Sequence, residues 1–553
     1  MTTQQTFALA LQHHRAGRLT DADALYRQIL AVQPHHAEAR HHLGIVAHQS
    51  GRPELAVEWI RQALVITPNH PIAHSNLGEA YRSAGRLDEA IASFRCALEL
   101  MPDQPGMYNN LGLALAGLGQ LDEALAAYRR ALALQPDYAA VQSSIIYTLH
   151  LHPGQDERMI AGEHQRWNRQ FSEPLKRFIL PLANVPDPQR RLKIGYVSPD
   201  FCFHAISFFL APLLEARDHG PCEIYCYASV QRPDAMTERL RKSADEWRDV
   251  RALSDAELAE RVRHDGIDIL VDLAMHTAGN RLLVFARKPA PIQVAWLGYP
   301  GSTGLRAMDY RFTDALLEPE GSPWSASAET PVRLPGSWCC FEPIDEYPEP
   351  GALPALRAGH VTFGSLNNFC KVNEAVLRVW VAVLRAVEGS RLLLRCPAGT
   401  TQTRLRQWFE AQGIAAHRLD LLPRTATRAE FLQTFRRIDV ALDPFPYNGA
   451  TTTCEALWMG IPVVSLAGRT AVSRAGLSLL TNVGLPEWVA SSEDDYIRIA
   501  TQQAQDLPCL AELRATIRPR MKASPLMDAP HFARNIEAAY RTMWQAWCAQ
   551  PES

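Results

Sequence analysis

Small, bulky and turn-forming positions recur in one register every 34 residues over the first quarter of the chain. Pro34, Pro68, Pro102 and Pro136 keep this spacing, as do Gly17, Gly51, Gly85 and Gly119. So do Gly44, Gly78 and Gly112, the alanines Ala22, Ala56, Ala90 and Ala124, and the bulky series Tyr26, Ile60, Phe94 and Tyr128. Small residues where two helices touch, a large apolar residue in the second helix and a helix-stopping Pro predict a helix hairpin in each period. After about residue 190 the pattern changes. The runs RLKIGYVSPD, PCEIYCYASV, GIDILVDLAMHT, APIQVAWLGYP and MDYRFTD are short, β-branched or aromatic, and separated by helical stretches. That alternation predicts parallel strands with helices on both faces. A second series, HVTFGSLNN, SRLLLRCP, RLDLLPR, IDVALDPFPY and PVVSLAG, begins after the Pro-rich stretch around Glu342 to Pro354. The last helix carries Phe532, Ile536, Tyr540, Met543, Trp544 and Trp547 at helical spacing, which predicts one packed face.

The 34-residue period resembles the tetratricopeptide repeat. One hairpin cannot bury its apolar face alone, so the units stack into a solenoid whose groove binds other proteins. The expected division is repeats with a capping helix over 1–150, a helical linker over 151–190, α/β units over 191–350 and 351–525, and a terminal helix over 526–553 that packs back on them.

Bulk properties narrow the function classes. A chain of 553 residues exceeds one core. A formal net charge of −3 argues against a nucleic-acid surface. The start MTTQQTFALALQHH lacks the basic and apolar regions of a signal peptide, so a cytoplasmic location without membrane association is expected. Eleven cysteines without a C-x-x-C pair read as reduced thiols. The pairs His13-His14, His35-His36 and His41-His42 lack carboxylate or thiolate partners at ligand spacing, so they are expected on polar helix surfaces and not around a metal.

The chemistry concentrates at strand ends facing a cleft, where open α/β sheets bind ligands. In IDVALDPFPYNGATTTCEALWMG a strand ends at Asp443, and Asn448-Gly449 leads into Thr451, Thr452 and Thr453 at a helix start. Free N–H groups, the helix dipole and threonine hydroxyls suit a diphosphate there. Glu455, one turn on, suits a ribose. The same residues also suit a plain helix start, with Thr451 as cap and Glu455 as a first-turn acid, and the segment alone leaves both readings open. Lys371, in the loop FCKVN after another strand, is placed to neutralise a departing diphosphate. In the first α/β unit, His204 and His276 follow strands and are candidates to accept a proton or hold a sugar. Asp200 and Asp272 read equally as turn formers. Gly301, Ser302, Thr303 and Gly304 form a loop open to a peptide backbone. No phosphate-loop or dinucleotide fingerprint occurs, and Asp21-Ala22-Asp23, the one D-x-D triplet, lies in the repeats. Helix, threonines and lysine are therefore expected to do the work of a divalent cation, with no cofactor.

At these residues the chain resembles the O-linked N-acetylglucosamine transferase and SPINDLY family over nearly its whole length. The blocks IGYVSPDF, ILVDLAMHTAGN, PAPIQVAWLGYPGSTG, MDYRFTD, FGSLNNFCKVN and LDPFPYNGATTTCEALWMGIPVV stand in order behind the repeats. The resemblance implies two Rossmann-like lobes of the GT-B type, the first for catalysis and acceptor and the second for a nucleotide sugar. It also implies inverting, metal-independent transfer to Ser or Thr of proteins recruited by the repeats. By position, Lys371 is similar to the lysine at the donor diphosphate, Thr451 and Thr452 to the phosphate-binding threonines, Glu455 to a ribose-binding acid and His204 to the first-lobe histidine. Asn368 falls beside the lysine in the donor set. Ala450, Phe431, Asn368 and Cys370 depart from the animal-type enzymes, and SPDF, HTAGN and FPYNGATTTCEALWMG are nearer the SPINDLY branch. Two donors stay open, UDP-GlcNAc first and GDP-fucose as the alternative. A non-catalytic repeat scaffold with a sugar-nucleotide sensor is the rival of another class, and self-association of the repeat surfaces is allowed.

Overall fold

The computed structural model describes residues 1–154, 156–322, 328–344 and 346–550. Two compact units are distinguished: Met1–Val141 with Cys396–Trp408 and Leu421–Arg424, and the remainder from Gln142 onward.

In the first unit four helix hairpins follow the predicted period. They are α1 (Thr3–Arg15) with α2 (Leu19–Val32), α3 (Ala37–Gln49) with α4 (Pro53–Ile66), α5 (Pro71–Ser83) with α6 (Leu87–Leu100), and α7 (Pro105–Gly117) with α8 (Leu121–Leu134). Tyr26, Ile60, Phe94 and Tyr128 are at most 1% exposed, and burying each such side chain contributes about 1.5–3 kcal/mol. The helices touch because the facing residue is Gly: a Cβ on Gly78 would lie 2.6 Å from the Phe94 ring, and one on Gly112 would lie 2.5 Å from the Tyr128 ring. Of the paired histidines, His35 is exposed as expected, whereas His41 and His42 do not lie on a polar surface. His41 is buried and bonds the Asn76 side chain at 2.9 Å, while His42 stacks on Tyr26. Burial pushes both down to about 4, which makes them neutral packing groups. The Nδ1 of His36 accepts from the Ala39 amide and caps α3.

The expected cap, α9 (Ala139–Leu151), belongs to the second unit from Gln142 onward, and the helical linker opens with α10 (Glu157–Trp167). Gln142, Ser143, Ile146 and Leu149 are buried, so this stretch is part of the core of the second unit.

The second unit contains the first predicted α/β lobe and all of the second except Cys396–Trp408 and Leu421–Arg424. The first sheet holds β1 (Leu192–Ser198), β2 (Cys222–Ala228), β3 (Glu246–Asp249), β4 (Ile269–Asp272), β5 (Ile292–Ala295), β6 (Tyr310–Asp314) and β7 (Thr330–Leu334), in the order β3-β2-β1-β4-β5-β6-β7. Its strands pair in parallel. The second sheet holds β8 (Thr362–Ser365), β9 (Arg391–Arg395), β10 (Leu419–Leu422), β11 (Val440–Leu442), β12 (Val463–Leu466) and β13 (Val489–Ala490), in the order β10-β9-β8-β11-β12-β13. Parallel strands covered on both faces must be apolar throughout, which is why β1, β2, β4 and β5 read as nearly continuous buried runs. In each sheet the winding reverses once, between β1 and β4 and between β8 and β11. A doubly wound sheet opens a crevice at that point.

The terminal helix Ala529–Cys548 packs on the first lobe. Tyr540 shares a 2.9 Å hydroxyl hydrogen bond with Tyr196 of β1, and Phe532 stacks on Trp296. The eleven cysteines are unpaired, and most are buried as small apolar fillers.

Candidate active site

Both strands at the reversal of the second sheet deliver predicted residues. After β8 the chain enters a short 3₁₀ turn, Phe369–Lys371, with Asn368 exposed at its start. The Lys371 ammonium donates to the Asn448 carbonyl at 2.7 Å and sits 4.2 Å from the centre of the Tyr447 ring. Burial lowers its pKa, and Cys370 and Asp443 act in the opposite sense.

After β11 the chain turns through Asp443 to Ala450 into the helix Thr451–Trp458. Asp443 is 1% exposed. Its carboxylate accepts from the Gly449 amide and from the Ser465 hydroxyl, each at 2.7 Å, and burial pushes its pKa up to about 6. Asn448 is fully buried and ties the turn to its surroundings by donating to the Pro444 carbonyl at 3.2 Å. A Cβ on Gly449 would fall 2.6 Å from the Thr453 hydroxyl and 2.9 Å from Asp443 Oδ1, so only glycine fits the turn. The N-cap is Ala450, which has no side-chain acceptor, so Thr451 occupies the first helical position and is not the cap. First-turn amides without a side-chain cap remain available to an anion. Thr451 and Thr452 are half-buried, and the Thr451 hydroxyl lies 3.5 Å from the carbonyl of Ala205 in the first lobe.

Glu455 is 3% exposed and is not an open carboxylate. It accepts from the Tyr347 hydroxyl at 3.0 Å and pairs with Arg428. Arg428 begins the helix Arg428–Phe435, and its guanidinium lies 4.9 Å from the centre of the Phe431 ring and 5.6 Å from that of Phe203. Arg428, Tyr347, Tyr447 and the supporting role of Asp443 are parts of the site that sequence reasoning did not single out. The one local signal at Arg428 is the Thr427–Glu430 capping box, which marks an ordinary helix start.

The first lobe presents one predicted histidine and encloses the other. His204 lies in the loop after β1, with its side chain 46% exposed and Nδ1 3.8 Å from the Asp200 carboxylate. The Ile206 amide donates to the same Nδ1 at 3.5 Å, so Nδ1 accepts and the neutral ring carries its proton on Nε2. Burial raises the pKa of Asp200, and the imidazole opposes the rise. His276, by contrast, is 2% exposed, with Nδ1 3.0 Å from the Ser143 hydroxyl and Nε2 2.8 Å from the Thr303 carbonyl. A carbonyl only accepts, so Nε2 carries the proton and Nδ1 accepts from Ser143. Burial pushes His276 down to about 4. With both nitrogens committed, His276 is not placed as the expected catalytic group; it joins α9 to the Thr303 loop. Asp272 is likewise a turn former: it accepts from the Ala274 and Met275 amides, and burial raises it to about 7. Among the described residues no group of three His, Cys, Asp or Glu is arranged to hold a metal ion.

The reversal of the second sheet thus brings together a lysine and an uncapped helix start, with a buried acid behind them. Residues 175–327 and 353–536 match the family model described as glycosyl transferase family 41, and residues 7–71 and 69–137 match tetratricopeptide repeat models. Over 416 residues the chain is 39% identical to the probable UDP-N-acetylglucosamine–peptide N-acetylglucosaminyltransferase SPINDLY of Solanum lycopersicum, covering 74% of this chain and 44% of the relative. The Arabidopsis thaliana protein of the same description is 38% identical, over 74% of this chain and 45% of its own length. The chain thus spans less than half the length of these curated relatives. A solved structure of a mutant of the Thermobaculum terrenum O-GlcNAc transferase superposes with a TM-score of 0.86 at 39% identity, covering 93% of this chain and 98% of that one. With a matched model spanning both lobes and a fold shared along almost its whole length, the chain belongs to glycosyl transferase family 41.

Proposed function

We propose that this chain is a protein O-glycosyltransferase that moves N-acetylglucosamine from UDP-GlcNAc to Ser or Thr hydroxyls of proteins, with inversion at the sugar carbon. The observation that carries the reading is the junction of Lys371 with the start of the Thr451–Trp458 helix, which gathers positive potential where a diphosphate would depart. The acceptor oxygen attacks the anomeric carbon as the bond from that carbon to the diphosphate oxygen breaks. The electron pair leaves with the nucleotide diphosphate, facing Lys371 and the amides of Thr451 and Thr452. The hydroxyl proton passes to a base in the first lobe, for which the half-exposed His204 is the candidate, or to a water chain. In this scheme lysine and helix carry the leaving-group charge, so no metal is invoked. Relatives named for N-acetylglucosaminyl transfer support the donor, and the repeats supply the surface for acceptor proteins.

No helix among the described residues is long and apolar enough to cross a membrane, which agrees with action on cytoplasmic proteins. The test is to incubate the purified full chain with a protein extract and either UDP-GlcNAc or GDP-fucose, then map modified Ser and Thr by mass spectrometry. N-acetylhexosamine on Ser or Thr together with UDP release is the expected result. Deoxyhexose from GDP-fucose alone would replace the donor, and nucleotide binding without transfer from either would favour the scaffold reading.

A further inference from the structure

One dipeptide, Tyr447-Asn448, holds the Lys371 ammonium from two sides. The Asn448 carbonyl accepts an N–H at 2.7 Å, and the centre of the Tyr447 ring lies 4.2 Å away. Among the described residues Lys371 forms no ion pair. The Asp443 carboxylate acts on it electrostatically but is bonded to the Gly449 amide and the Ser465 hydroxyl. An ammonium has three N–H donors, so the bond to Asn448 leaves two for a ligand. Removing a cation from water is unfavourable, and burial here favours the neutral amine. A ring face offsets that cost because its quadrupole attracts a cation, most strongly where water is excluded. It does so without a negative charge. A carboxylate in the same place would also hold the ammonium, but it would cancel the field that meets a departing diphosphate.

The ring is itself fixed. Tyr447 is 8% exposed, and it meets Tyr147 of α9 edge-on with 6.1 Å between ring centres. The two hydroxyls are hydrogen-bonded to each other. Asn373, two residues after the lysine, donates to the Phe445 carbonyl at 2.7 Å, and the Asn448 amide donates to the Val472 carbonyl at 3.0 Å. The loop that carries Lys371 is thus tied to the turn that carries the ring. The lysine stem is the flexible part of this pair, and a free stem would lose rotamer entropy on meeting a ligand. Ring and carbonyl order it beforehand, beside the uncapped start of the Thr451–Trp458 helix.

We propose that Tyr447 is a positioning residue of the diphosphate site, its ring face keeping the Lys371 ammonium aimed at the helix start with its charge uncancelled. The proposal rests on the transferase reading above. It gives the tyrosine a role that a core filler would not have, because its effect on a ligand passes through the lysine.

The probes are UDP, GDP and inorganic pyrophosphate, each titrated calorimetrically into the full chain. Wild type is compared with Tyr447→Phe, Tyr447→Leu, Lys371→Ala and the variant carrying both Lys371→Ala and Tyr447→Leu. Tyr447→Met takes the place of Tyr447→Leu if circular dichroism shows the latter unfolded. Tyr447→Leu is expected to weaken diphosphate binding by roughly tenfold, and Tyr447→Phe to keep it because the ring face is retained. In the Lys371→Ala background Tyr447→Leu should weaken binding no further, since the two residues act through one charge. An equal loss with and without the lysine would make the tyrosine a packing residue of the turn and overturn the proposal. A loss in Tyr447→Phe as large as in Tyr447→Leu would overturn it too, as would undiminished affinity in Tyr447→Leu. A wild type that binds none of the three probes overturns it together with the transferase reading. Nucleotide release from UDP-GlcNAc and GDP-fucose in a protein extract is followed separately. Lysine-dependent loss of binding without release of either nucleotide sinks the transferase reading and not the role of Tyr447; release without that dependence does the reverse.

Discussion

The Lys371 ammonium is hydrogen-bonded at 2.7 Å to the carbonyl of Asn448, three residues before the helix start at Thr451. The two ends of this bond come from loops after β8 and β11, the neighbouring strands at which the second sheet reverses its winding. The bond aims a cation at the amides that would hold a diphosphate. It therefore joins the charge and the dipole into one electrostatic site.

Replacing Lys371 by Ala removes that cation while Asn448 keeps its own bond to Pro444. We expect kcat for sugar transfer to fall by roughly 10²–10³, and stability to fall by about 1–3 kcal/mol because the buried Asn448 carbonyl loses its donor, with the fold retained. A variant with wild-type turnover would show that the leaving group is stabilised elsewhere.

The two predicted histidines should separate in kinetics and stability. His204→Ala alters a half-exposed ring and is expected to lower kcat by about 10²–10⁴ without a change in thermal unfolding. His276→Phe strands the Ser143 hydroxyl and the Thr303 carbonyl in the interior, so it should lower stability by about 1–3 kcal/mol per orphaned group. Thermal scans and steady-state kinetics on both variants decide the assignment.

Asp443 makes stability depend on mildly acidic pH. Its folded pKa, about 6, stands above the ordinary 3.8, so the folded state holds the proton more tightly than the unfolded chain. Its contribution is full below about pH 4 and is lost as pH rises to about 6. Asp443→Asn keeps the acceptor for Gly449, lets Ser465 accept in place of donating, and does not titrate. Across that window the variant should gain on the order of 3 kcal/mol relative to wild type, measured by urea unfolding at pH 4, 5, 6 and 7. A constant difference at all four would mean that the carboxylate is not held in this way.

The repeat packing yields a contrast within one helix. Gly112→Ala drives a methyl group into the Tyr128 ring and should cost about 1–3 kcal/mol. Gly106→Ala, in the same α7, meets nothing within 4 Å and should stabilise by about 0.5–1 kcal/mol. Denaturant midpoints of the two variants should move in opposite directions.

Much of this organisation is legible from local periodicity. Gly44, Gly78 and Gly112 announce helix contacts because a close approach excludes a Cβ wherever it occurs, and the apolar runs of β1, β4 and β8 announce buried parallel strands because both faces lose water. Strand ends carry function in such sheets, so Lys371, Thr451 and His204 could be picked out as they follow β8, β11 and β1. Other properties depend on partners far apart in sequence. His276 and His204 look alike along the chain, both following a strand. Only the fold shows that Ser143, over a hundred residues earlier, and Thr303 take up both nitrogens of the first, while Asp200 stands beside the second. Glu455 reads as an open acid until Arg428 and Tyr347 arrive from other segments. His41 reads as polar surface until neighbouring helices bury it, and His42 until it stacks on Tyr26. Periodicity records which face of an element loses water, a property of neighbours in the chain. Burial of a particular charge and the identity of its partner are set by long-range closure, which no local pattern contains.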